Sequence, residues 1–268
     1  MNQLLKHGRV SSLIVAAAIL ATLSSPTTAL AGRSCEDKPL DVREITQGME
    51  LASKTMGALN RSGAQVVLLA RMGQDLSKYG VHYSHIGFAY RSPDNTWRVA
   101  HKLNQCGTAD ADVYRQGIGD FFLDRPFRYE AAFAVPRLEV QEQLLKTLTV
   151  NSQLARMHER RYNMLAYPWA LSYQQSNQWV IETLAFATSA ANTRSQAQSW
   201  LKHQDYQATV LNISAMTRLG ANVTRANIAF DDHPTSKRFS GRIETVTVDS
   251  VFAWLQRTGL SAAPIIQR

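Results

Sequence analysis

The run Val66-Val67-Leu68-Leu69-Ala70 constrains this chain more than any other stretch. Five apolar residues in succession suit a buried strand, because neighbouring strand side chains point to opposite faces and here both would be apolar. A hairpin pattern follows. Ser84 to Tyr90 and Trp97 to Leu103 read as two strands joined by a Ser92-Pro93-Asp94-Asn95 turn. Tyr129 to Val135 reads as a further strand stopped by Pro136, and Ile243 to Val248 alternates as another.

Helical patterns surround these strands. Asp41 to Leu59 carries apolar residues at Ile45, Met49, Leu51, Met56 and Leu59. Leu138 to Met157 is amphipathic, with Leu144, Leu145, Leu148 and Leu154 expected to face inward. Tyr162 to Gln175 reads as an aromatic connector. Ser176 then opens a helix through Trp179, Val180, Leu184 and Phe186, with shorter helices at Ser195 to His203 and Ser250 to Arg257. Strands and helices mix without a βαβ rhythm or a repeat. The expectation is an α+β fold: a central antiparallel sheet with packed helices. No glycine-rich phosphate loop or dinucleotide fingerprint occurs, and no cofactor is expected.

The first residues read as an address. Lys6 and Arg9 precede an apolar run from Leu13 to Leu23, then Ser-Ser-Pro and the small-residue site Ala29-Leu30-Ala31. That order is a secretory signal peptide spanning residues 1–31, cleaved near Ala31. The run is short of the ~20 residues that span a bilayer, and no second run in the mature chain reaches that length. Residues 32–268 are then expected as one domain, periplasmic or secreted. The whole chain has a formal net charge of +8, and losing Lys6 and Arg9 leaves a net of about +6. The charge is scattered, which argues against nucleic acid and favours attraction to anionic phospholipid or cell wall. Cys35 and Cys106 both survive cleavage, and an even count in an oxidising compartment suggests a disulfide. It would close a loop of about 70 residues. Two isolated thiols are the other reading.

The hairpin carries two histidines, His85 and His101. His85, Gly87 and Ala89 share one strand face, a small-residue face open to close approach. A two- or four-residue turn would set His101 opposite Ile86. An odd-length turn or a bulge would set the two histidines directly across from each other. His82 and His85 point to opposite faces, so no metal site is expected. Ser176 stands where a helix's free N–H groups can stabilise negative charge; a plain helix cap explains it equally well.

Together, Ser84 to Tyr90, the Val99-Ala100-His101 end of the next strand, and the later Ser176-Asn177-Gln178-Trp179-Val180 stretch resemble the circularly permuted branch of the papain-like superfamily. That branch includes NlpC-type cell-wall endopeptidase relatives and lecithin:retinol acyltransferase-like enzymes. Its pattern is a His-x-Gly strand, a polar residue on the next strand, and an Asn-Cys pair opening a helix. The resemblance implies His85 as general base, His101 as its orienter and Ser176 in place of the catalytic cysteine, with Gln175 in place of the asparagine. From Cys35 to the Thr245-to-Val248 strand, the chain resembles an uncharacterised family of exported bacterial proteins, domain of unknown function 2145. Serine is far harder to deprotonate than cysteine. Two functions therefore stand. One is a Ser-His-His hydrolase or acyltransferase acting on envelope amides or esters, such as a peptidoglycan peptide or a lipid ester. The other is an inactive envelope-binding module. Tyr162 and the Asp231-Asp232-His233 cluster are secondary candidates for the site; for the cluster the competing reading is a turn.

Overall fold

The computed structural model describes residues 39–224 and 226–268. The expected signal peptide and Cys35 lie outside the described residues, and with Cys35 the expected bond to Cys106. Along the chain, α1 (Val42–Ser62) leads into β1 (Val66–Met72), β2 (His85–Arg91), β3 (Trp97–Asn104) and β4 (Ala111–Gly117). The short α2 (Ile118–Phe122), β5 (Arg128–Ala134), α3 (Leu138–Thr149) and α4 (Asn151–Leu154) follow. After an irregular connector come α5 (Ser176–Thr188), α6 (Arg194–His203), β6 (Thr209–Asn212), α7 (Ala215–Thr224), α8 (Thr235–Ser240), β7 (Arg242–Thr245), α9 (Val248–Arg257) and β8 (Ile265–Gln267).

Six strands form one sheet in the order β4-β3-β2-β1-β5-β8, with every pair antiparallel. All seven residues of β1 are buried, as its unbroken apolar run requires. Its side chains divide cleanly between two cores. Leu68 and Ala70 join Ile86, Phe88 and Ala100 beneath α3, α5 and α9, where the Phe88 and Trp179 rings meet edge to face at 5.8 Å. Val67 and Leu69 join Ala89, Val99, Phe121 and Phe122 beneath α1 and α2. The fold is thus α+β, a helix-covered antiparallel sheet. A smaller lobe pairs β6 with β7 over its own cluster of Val81, Leu211, Ile213, Phe230 and Ile243.

Several boundaries differ from the sequence reading. In α1 the buried stripe is Gly48, Leu51, Ala52, Thr55, Ala58 and Leu59, so Ile45, Met49 and Met56 face outward. The expected helix from Leu138 to Met157 breaks at Val150, whose φ of −106° and ψ of 119° are extended. The expected strand to Val248 stops at Thr245, because Thr247 and Ser250 cap α9 reciprocally, each hydroxyl accepting the other's backbone N–H at 3.1 Å. β4, α2, β6, α7, α8 and β8 carry too weak a pattern to have been anticipated.

The hairpin register decides where the histidines meet. Arg91 pairs with Trp97, so residues 92–96 form the loop, and His101 falls opposite Gly87 rather than Ile86 or His85. The histidines share a face but stand diagonally. Gly87 makes their contact possible: a Cβ there would lie 2.8 Å from His101 Cβ and 2.9 Å from the Ala100 carbonyl. Both neighbours are fixed by the sheet and cannot yield. Gly87→Ala is expected to destabilise the protein by about 2–3 kcal/mol through overpacking, read as a lower urea midpoint at unchanged slope.

A candidate site divided by the sheet

Strand alternation places His85 and His101 on the face covered by α1 and α2. His101 is fully buried and His85 is 9 % exposed. Their rings touch through His85 Nε2 and His101 Nδ1 at 2.8 Å, and His101 Nε2 lies 2.7 Å from Gln116 Oε1 on β4. Because the amide oxygen only accepts, His101 Nε2 carries the proton and its Nδ1 accepts from His85 Nε2–H. The two rings therefore form a directed chain toward Gln116. The Phe121 ring packs against both, and the Arg71 guanidinium lies 4.8 Å over that ring. Arg71 also donates to the Phe121 carbonyl and pairs with Asp124. Burial, reinforced by the Arg71 charge, pushes His101 down to about 4, so the ring is neutral at physiological pH.

Ser176 is elsewhere. It is the first residue of α5, which packs on the opposite sheet face against Phe88 and the β3 side chains of that face. The expected contact between Ser176 and His85 is not made, because the sheet lies between them. The physical reason is parity: α5 covers the Ile86, Phe88 and Tyr90 side of β2, while His85 points to the other. Ser176 is buried and hydrogen-bonded to the Tyr162 phenol, whose own pKa burial raises. Gln175 is the N-cap. Its side-chain oxygen accepts from Asn177 N at 3.4 Å, while its amide nitrogen donates to Thr245 Oγ1 at 2.5 Å and to the Val246 carbonyl at 2.7 Å.

The Asp231-Asp232-His233 segment is a turn closed upon itself. His233 Nδ1 meets Asp232 Oδ1 and His233 Nε2 meets the Glu244 carbonyl, both at 2.9 Å. The other Asp232 oxygen accepts from Tyr167 N at 2.8 Å, and Asp231 accepts from the Tyr173 hydroxyl at 3.1 Å. These bonds fix the smaller lobe to the connector and do not reach the histidine pair.

Sequence reasoning missed a second polar centre on the α5 face. Lys102 follows His101 and so points the other way, into the core, with no exposed surface. Its ammonium donates to the Glu159 carbonyl at 2.5 Å and to Gln174 Oε1 at 2.8 Å. Burial, with the Arg194 charge nearby, pushes it down to about 7. Gln174 in turn donates to Glu182 on α5 at 2.5 Å. Glu182 also accepts from Arg194 at 2.7 Å, Gln198 at 2.7 Å and Gln178 at 3.0 Å. A lysine inside the apolar Val99-to-Leu103 strand was the available signal.

The sheet, its two helical layers and the buried histidine pair define a mixed α+β protein built on an antiparallel sheet. Residues 58–255 match the model of a family described as an uncharacterised protein conserved in bacteria, domain of unknown function 2145. The chain belongs to that family. No curated protein and no solved structure matches it. Among the described residues no helix is long and apolar enough to cross a membrane.

Two pH dependences follow from the buried bases. His101 stays neutral when folded down to about pH 4, whereas unfolded it takes a proton near its ordinary 6.5. The unfolded state binds more protons between these values, so stability falls as pH drops through that window, by on the order of 3 kcal/mol. Urea unfolding from pH 7 to 4 should show this slope, reduced in His101→Gln. Lys102 is neutral when folded above about 7 and charged when unfolded up to its ordinary 10.5. Stability should therefore rise from pH 7 to 10, and Lys102→Met should flatten that limb.

Proposed function

We propose that the protein is an exported, non-catalytic module that binds the bacterial cell envelope. The observation that carries this reading is the placement of Ser176: a buried hydroxyl held by Tyr162, across the sheet from the histidine that would have to activate it. A general base must come within hydrogen-bond reach of the proton it removes. The order of elements and the His85–His101 contact support a papain-like ancestry for the fold, while the parity of α5 speaks against a working Ser-His-His triad. Export from the cell would follow from residues 1–31, and an oxidising compartment fits a Cys106 that is not a free thiol. The net positive charge suits an anionic envelope.

A fluorophosphonate probe tests the absence of a serine nucleophile. The purified protein is expected to remain unlabelled; labelling that disappears in Ser176→Ala would overturn the proposal. Ser176→Cys gives a second reading. Its thiol is expected to alkylate with an apparent pKa at or above the ordinary value of about 8.5, whether or not His85→Ala is added. A depressed value that depends on His85 would restore the enzyme.

A further inference from the structure

Among the described residues, the smaller lobe carries the two most exposed large apolar side chains outside α1, Met216 at 79 % and Phe239 at 73 %. They sit on either side of one junction. Met216 is in the first turn of α7, Phe239 is in the last turn of α8, and Ile213 N donates to the Gly241 carbonyl at 2.9 Å, tying the two helix ends together. Gly241 caps α8 at a φ of 75°, and a Cβ there would meet Ile213 O at 3.0 Å and Arg218 Nη1 at 3.3 Å. That brings the Arg218 guanidinium to the same junction. Arg238 lies 5.3 Å over the Phe239 ring, and Arg242 follows Gly241 with its side chain exposed. The nearby carboxylates are already engaged. Glu244 pairs with Lys237, Asp232 with His233, and Asp231 accepts from Tyr173.

We infer that this junction is a docking tip for an anionic phospholipid surface. The inference rests on the envelope-binding reading and names the envelope component. Two exposed apolar side chains ringed by arginines match a bilayer interface, where apolar groups enter the acyl boundary and cations meet the phosphates. A guanidinium resting on an exposed ring keeps both in position for that exchange. Neutral sugar polymer would reward the arginines little, and a protein partner would favour a flatter apolar patch than two isolated knobs. Each arginine at such a surface contributes about fivefold to partitioning.

The test is co-sedimentation of the full mature chain with vesicles of phosphatidylglycerol and phosphatidylethanolamine, beside pure phosphatidylcholine vesicles, at low and high salt. Binding is expected on the anionic vesicles, weakened by salt. Arg238→Gln with Arg242→Gln should lower partitioning by about 25-fold. Met216→Ser with Phe239→Ser should lower it at least tenfold. All four side chains are at the surface of the lobe, and an unchanged melting temperature verifies folding. Binding no better than to phosphatidylcholine, or variants that bind like the parent, would overturn the inference. Sedimentation with purified peptidoglycan but not with vesicles would overturn the lipid surface while leaving the envelope-binding reading intact. Phosphonate labelling of Ser176 would overturn that reading regardless of the vesicle result.

Discussion

Covering an antiparallel sheet with helices on both faces removes water from the polar side chains that its central strands carry beneath those helices. Each such group must find its partner inside, since an unpaired buried polar group costs several kcal/mol. The strands β1 to β3 present four of them: Arg71, His85, His101 and Lys102. The structure around the sheet is arranged to satisfy these groups. The five-residue helix α2 owes its placement to this requirement, supplying the Phe121 carbonyl and ring to Arg71 and the same ring to both histidines. β4 supplies Gln116 to His101. The connector before α5 supplies Gln174 and the Glu159 carbonyl to Lys102.

The strand and hairpin positions were legible because alternation and apolar run length are local properties. The unbroken run at Val66 to Ala70 and the Ser-Pro-Asp-Asn turn needed no knowledge of the rest of the chain. The register needed more: the loop takes in Thr96 as well, which moves His101 to Gly87. The small-residue face of His85, Gly87 and Ala89 did signal close approach. At Gly87 the group that approaches is the His101 side chain of the neighbouring strand, and the Phe121 ring of α2 packs over both histidines.

The side of the sheet that α5 chooses could not be read from α5. Residues Ser176 to Ala185 are all buried, polar and apolar alike, so the helix has no solvent-exposed polar face to announce which way it turns. Trp179 settles the matter by packing on Phe88, one parity away from His85. Three matching residues in the right order thus fall into two unrelated environments. Order along a chain constrains topology, but a one-residue difference in strand parity exchanges one face of a sheet for the other.

The Glu182 carboxylate ties together a region with almost no regular structure of its own. The donors gathered on it also reach backward into the connector: Gln174 to the Met157 carbonyl, Gln178 to Pro168, Gln198 to Ala170, and Arg194 to Leu171 and Tyr173. These side chains are thus shared between one buried anion and five connector carbonyls. Opening any part of the connector withdraws ligands from Glu182, and an anion left short of donors in the core is unstable. The segment between α4 and α5 should accordingly behave as a cooperative unit with α5 and α6, its amides exchanging with solvent together rather than fraying one by one.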